Sequence, residues 1–404
     1  MPRTGPRAAS LLRDRTHHDG GRVGMVELFF DLVFVFAITQ LSHHLLEHLT
    51  PLGALRTALL FMAVWWLWIY TTWSTNWLDP ERNPVRLMLL AMMAGGLVLS
   101  AALPLAFGAR GAAFGIAFAA MQVGRTAFAL LAFHRHGRRD QRDNFVRILA
   151  WLSLSGALWV IGGLAEPGAR LAWWAAAVAV EYLGPMAYFR LPFFGRSHAA
   201  SWDVEAHHMS ERCALFVIIA LGESLLLTGA TFAKLEWTQA TALAFGVAFT
   251  GSVAMWWLYF DSGAERGTRR LAQAPDTGRV ARTAYTYLHL PIVAGIVVSA
   301  VSDELILTHP ASATNAGIAA ILGGPALYLA GVAAFKWSTN DRRLPPLSHL
   351  AGLLVLFGLA PFAFAQLLSA LALAALCTGV LMLVAAWEWA ALRRPAPSPH
   401  RAGS

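Results

Sequence analysis

Long apolar runs separated by short polar breaks recur along the chain from residue 25 to residue 391. Each run is about 17–25 residues long, the length a helix needs to cross a bilayer. Read in order, they predict twelve helices, at 25–46, 53–75, 85–107, 111–133, 145–164, 170–190, 212–232, 239–260, 282–303, 314–335, 347–365 and 368–391. Pro361 and Gln366 lie near the joint of the last two. That pair also reads as one broken or re-entrant element, so eleven or thirteen spans stay open. The expected fold is all-α, a polytopic membrane bundle of about twelve transmembrane helices.

Composition agrees. Charged residues are 13% of the chain and hydrophobic ones 57%, with a mean hydropathy of +0.53. Soluble domains carry about 25% charged residues. The net charge of +8 would suggest nucleic-acid binding in a soluble protein, but the location of the basic residues points elsewhere. With the first residues on the cytoplasmic side, 26 of the 31 Lys and Arg residues fall on cytoplasmic segments. Arg56, Arg110, Arg170 and Lys234 fall opposite, and Arg125 falls inside a span. That asymmetry is the positive-inside pattern. It predicts a membrane protein with both ends cytoplasmic and no nucleic-acid partner. Residues 1–24 lack an apolar core and read as a flexible cytoplasmic tail, not a signal peptide, and 392–404 as a second tail. Cys213 and Cys377 fall at or within spans, which argues against a structural disulfide.

The chain also reads as a duplication. VELFFDLVFVFAIT and ERCALFVIIALGES each open on an acid, Glu27 or Glu211, and carry a second, Asp31 or Glu223. VWWLWIY (64–70) then matches AMWWLYF (254–260). Twelve spans divide into two six-helix repeats, 25–190 and 212–391, joined by a cytoplasmic linker at 191–211. An even number of spans per half makes the repeats parallel.

The segments ELFFDLVFVFAITQLSHHL and ERCALFVIIALGESLL resemble the bacterial low-temperature-requirement A (LtrA) family, over nearly the whole chain from about Val23 to the last span. The resemblance implies a multi-pass bacterial inner-membrane protein and hands over no catalytic residues. FFDLVFVFAIT is also similar to the first helix of a class of potassium channels that duplicate a six-helix unit, although Phe30 stands where that pattern has Ser.

The candidate chemistry lies in ionisable residues at membrane depth, where they are costly and mark polar paths or internal pairs. Glu27 and Asp31 are four apart and share a helix face. Glu223, about ten residues into its span, lies roughly 15 Å from the edge at 1.5 Å per residue, with Ser224 beside it. Arg125, the basic residue inside a span, is the expected counter-charge of Asp31 or Glu223. Thr39 adds a hydroxyl to the first helix, and Glu211, Glu181 and His289 are supporting polar points; Asp303 and Glu388 are expected at the interfaces. His43/Glu47 and His44/His48 sit at the i,i+4 spacing that chelates zinc, but no fourth ligand is evident. They read as a solvated His cluster, with no metal and no cofactor. Trp65, Trp66, Trp68, Trp73 and Trp77 are expected on the lipid face.

The leading expectation is a transporter or channel for a small ion or solute, proton-coupled through Asp31 and Glu223, rather than an enzyme. Two alternatives stay open: a lipid-modifying enzyme using His43, His44 and Asp31, and a non-catalytic membrane scaffold. The expected partners are the bilayer and the small solute. The oligomeric state, a homodimer included, is open.

Overall fold

The computed structural model describes residues 10–13, 22–197, 202, 204–261, 263–340 and 344–393. Among these, extended pairing is limited to isolated bridges, and every regular element is helical. The longer helices are α1 (Met25–Glu47), α2 (Pro51–Trp77), α3 (Asn83–Ala102), α4 (Gly111–Arg135), α5 (Arg139–Leu164), α6 (Pro167–Met186), α7 (Ala206–Phe232) and α8 (Gln239–Phe260). Short α9 (Gly263–Gln273) and α10 (Thr277–Val280) lead through a π-helical turn, Ala281–Tyr287, into α11 (His289–Thr308). Then follow α12 (Asn315–Ser338), α13 (Leu347–Phe364) and α14 (Ala370–Leu392). Among the described residues, eleven helical stretches are long and apolar enough to cross a membrane. The further long helix, α6, carries Arg170 and Glu181, both buried.

Local chemistry sets the ends. Thr50 accepts a hydrogen bond from Gly53 N and Pro51 opens α2 at the position where its missing N–H costs nothing. Ser369 caps α14 in the same way. Gln366 takes a positive φ of 57° between α13 and α14, so the last two spans are separate helices.

The chain divides into two compact units. One comprises the described residues up to Glu223 together with Gly267–Leu290; the other comprises Ser224–Arg266 and the chain from Pro291. In the first, α2 is the most enclosed helix: Trp65, Trp66 and Trp68 are at most 1% exposed, and Trp73 and Trp77 are also buried. This corrects the lipid-facing expectation for these indoles. An all-round apolar helix in a bundle is buried by its neighbours, and the indole N–H groups of Trp65, Trp68 and Trp73 find internal acceptors. Trp65 and Trp73 donate to the carbonyl and hydroxyl of Thr286, at 2.8 and 2.9 Å, in the π-helical turn.

Helices α4 and α5 approach closely where glycines leave room; a Cβ on Gly115 would stand 2.3 Å from the Trp159 carbonyl oxygen. Arg170, expected at the start of its span on the side opposite the cytoplasm, lies in the first turn of α6 and is buried. It donates to the carbonyls of Ala106, Gly108, Gly162, Gly163 and Ala165, so its charge is met by backbone dipoles. In the second unit, α11 and α12 meet at Gly295, whose Cβ position lies 2.4 Å from Tyr328 N. The Tyr328 hydroxyl donates to the Met255 carbonyl of α8.

Two further departures bear on the site. Helix α7 begins at Ala206, six residues before the expected span, which takes 206–211 out of the expected linker. Residues 10–13, expected in a free tail, pair with the end of α2: Arg13 N donates to Trp77 O at 2.9 Å and Arg13 Nε to Thr75 O at 2.6 Å. The rest of 1–21, residues 198–201 and 203 of the expected linker, and 394–404 lie outside the described residues.

Candidate functional site: a polar ladder between α1 and α7

Glu27, Asp31 and Thr39 lie on one side of α1, spaced four and eight residues apart. His208, Arg212 and Glu223 lie on one side of α7, spaced four and eleven. These two sides face each other in parallel register. His208 Nε2 donates to Glu27 Oε1 at 2.8 Å, Arg212 Nη2 to Asp31 Oδ1 at 2.8 Å, and Thr39 Oγ1 to Glu223 Oε1 at 2.5 Å. The rungs extend about 18 Å along α1, at 1.5 Å per residue.

Each rung is held from outside. The second oxygen of Glu27 accepts from Arg13 Nη2 and from Gly24 N, both at 2.8 Å. Arg212 Nη1 stands 3.9 Å from Glu27, linking the first two rungs. Trp68 Nε1 of α2 donates to the same Asp31 oxygen at 2.8 Å, and its ring lies 5.5 Å beneath the Arg212 guanidinium. Asn76 Nδ2 donates to His208 Nδ1 at 3.2 Å. With Nε2–H given to Glu27 and Nδ1 accepting from Asn76, the neutral imidazole satisfies both contacts.

Solvent does not reach the first two rungs: Glu27, Asp31, His208 and Arg212 are 0% exposed. Yet the set is incomplete. Asp31 Oδ2 and both Nε and Nη1 of Arg212 are buried without a hydrogen-bond partner, and each such atom costs about 1–3 kcal/mol or more when charged.

Arg125 does not supply the counter-charge expected of it. It lies on α4 and donates to Leu67 O and Thr71 Oγ1, both at 3.2 Å, and to Gln122 Oε1 at 2.5 Å. Gln122 Nε2 in turn donates to Glu181 at 3.1 Å, and Ser155 Oγ donates to the other Glu181 oxygen at 2.6 Å. Arg125 and Glu181 are therefore ends of a separate relay across α4, α5 and α6, bridged by a neutral amide. Arg212, nearly two turns into an unexpectedly early α7, takes the place assigned to Arg125.

The other candidates disperse. Ser224 Oγ donates to Asp303 at 3.4 Å within the second unit, so Asp303 turns inward and not to an interface. Glu211 is exposed and accepts from Val23 N at 3.3 Å. His289 bonds the Ala284 carbonyl at 2.8 Å and stacks on Tyr285. His44 and His48 stack with ring centroids 4.7 Å apart, and their Nδ1 atoms bond Thr57 Oγ1 and His44 O. His43 is half-buried and Glu47 exposed. Among the described residues no group of three or more His, Cys, Asp or Glu side chains is placed to hold a metal ion. Cys213 and Cys377 are buried free thiols.

The model of the bacterial low temperature requirement A protein family (LtrA) matches residues 22–386. The chain belongs to the LtrA family. It is 41% identical, over 96% of its own length and 95% of the other's, to a Rhizobium meliloti (strain 1021) protein named "Uncharacterized protein RA0937". No solved structure matches. With its long apolar helices, this LtrA chain is an integral membrane protein.

Sequence reasoning overlooked His208, Arg212, Arg13 and Trp68. One signal was available: His208 and Arg212 repeat the i,i+4 spacing of Glu27 and Asp31 with opposite chemistry.

Proposed function

We propose that this LtrA protein carries a small ion or solute across the bacterial cytoplasmic membrane, its α1/α7 ladder opening and reclosing as cargo or protons pass. The observation behind this reading is the buried Asp31–Arg212 pair with unmet atoms on both partners. Removing two charges from water costs several kcal/mol per ion, and apolar residues of similar volume often stabilise a fold better. A pair kept there with an unsatisfied oxygen and two unsatisfied nitrogens has spare capacity for a proton, an ion or water.

Full burial favours a carrier over a standing pore, since an open channel would wet these side chains. The ladder joins the opening helices of the two proposed six-helix repeats, and in repeat-built transporters the cargo site forms between equivalent helices near mid-depth. The Arg-rich connections favour both ends on the cytoplasmic side.

The lipid-enzyme reading loses support from the geometry. Asp31 and His43 are twelve residues apart on one straight α1, about 18 Å at 1.5 Å per residue, too far to act on one reacting bond. A scaffold remains the competing reading, with the ladder serving only to lock α1 to α7.

The deciding experiment is a proteoliposome flux screen over protons, monovalent cations and common anions. Asp31→Asn and Glu223→Gln are each expected to cut flux at least tenfold while the protein still inserts and purifies. Undiminished flux in both, or none with any cargo in the intact protein, would leave the scaffold.

A further inference from the structure

We infer that the second unit contains a binding pocket for a phosphate group, independent of the transport reading. It is a cavity of about 220 Å3 where the starts of α9 and α13 meet the ends of α12 and α14. A single ordered water needs roughly 10–15 Å3, so the space holds far more than a trapped solvent molecule. Arg266, Lys336, Asn340, Ser348, Trp387 and Glu388 line it.

The lining suits an anion with several oxygens. Arg266 is half-buried and pairs with no acid among the described residues, leaving its planar fork of donors available for bidentate contact. Lys336 Nζ gives one of its three donors to Glu388 at 2.5 Å and is otherwise enclosed. Pro346 precedes α13 with no side chain able to cap its first turn, so the positive end of that helix dipole opens on the same cavity, beside the Ser348 hydroxyl. Trp387 is exposed at the rim, the place an indole takes at a membrane–water boundary. Glu388 opposes an anion by holding Lys336, and Asp261, exposed at the end of α8, is a second acid acting on Lys336. The phosphate group belongs either to an anionic lipid headgroup or to soluble phosphate, and the chemistry of recognition is the same for both.

The test uses the purified full chain in detergent, titrated at constant ionic strength with short-chain phosphatidylglycerol, short-chain phosphatidylcholine and inorganic phosphate, with melting temperature as readout. Phosphatidylglycerol is expected to raise the melting temperature saturably and phosphatidylcholine is not. Arg266→Gln should shift the midpoint about tenfold weaker, the loss of roughly one charge-assisted contact. Arg266→Lys should fall between, and Glu388→Gln should bind tighter by freeing Lys336. Inorganic phosphate reproducing the shift with the same Arg266 dependence assigns the pocket to soluble phosphate; a response to phosphatidylglycerol alone assigns it to lipid. Equal responses to the two lipids with none to phosphate, or midpoints unmoved in both Arg266 variants, overturn the pocket.

Discussion

Glu27 and His208 meet at 2.8 Å with neither side chain touched by solvent, and one helical turn on Asp31 and Arg212 repeat the same distance. Two acids spaced four residues apart on one helix are thus matched by two bases spaced four apart on another. A contact of this kind ties the register of α1 to that of α7, because sliding either helix by one residue would strand every member.

The Asp31–Arg212 pair should therefore show strong coupling. Asp31→Asn leaves the Arg212 charge facing a neutral amide oxygen, with Thr72 at 3.5 Å, Glu27 at 3.9 Å and the Trp68 ring as its remaining neighbours. Removing one member of a buried pair costs about 3–5 kcal/mol. Asp31→Asn combined with Arg212→Gln is expected to recover part of that loss, with an interaction energy of about 1–3 kcal/mol in a double-mutant cycle. Thermal unfolding of the four proteins in detergent measures it, and strictly additive losses would show that the pair is not energetically joined.

Trp68 makes two contacts that separate cleanly. Trp68→Phe keeps an aromatic face under Arg212 and deletes the N–H given to Asp31. The expected cost is about 1–3 kcal/mol, that of a hydrogen bond to a charged group, while Trp68→Leu should cost more by also removing the ring. Equal melting temperatures for wild type and Trp68→Phe would mean that the indole N–H contributes nothing to holding Asp31.

How much of this was legible beforehand follows from what hydropathy measures. Run length located the long helices because crossing a bilayer demands about 20 apolar residues. The start of α7 escaped, since its first turns, Ala206 to Arg212, are polar and read as a connection. Those polar residues are helical because acids on α1 satisfy them, which no window over α7 alone registers. The α2 tryptophans were misplaced for a related reason: an indole facing lipid and one facing other helices look alike along the chain. Arg125 pointed to the wrong acid because its link to Glu181 runs through the uncharged Gln122.

Packing of α4 on α5 gives a prediction independent of charge. Gly115→Leu must displace the Trp159 backbone, which would lie 2.3 Å from the first side-chain atom, and a backbone cannot swing aside as a flexible side chain does. Overpacking of this kind costs about 1–3 kcal/mol or more. Gly124→Leu, on the same helix with open space at its Cβ position, is the control. The first variant should melt lower than the second, and indistinguishable melting would place the two helices further apart than described.

The third rung separates transport from bracing. Thr39 gives its hydroxyl to Glu223 and is also within 3.1 Å of the Val35 carbonyl, so Thr39→Val deletes a neutral donor, keeps the shape and leaves the carboxylate in place. Bracing would register this as a stability loss of about 1 kcal/mol and nothing else. A carrier that uses Glu223 should show more: altered flux at matched protein density, with Thr39→Ser restoring it, because the hydroxyl positions the Glu223 carboxylate. Flux assays on Thr39→Val and Thr39→Ser in liposomes, normalised to inserted protein, distinguish the two. Identical flux in both variants, alongside the small melting shift, would reduce this rung to a structural tie.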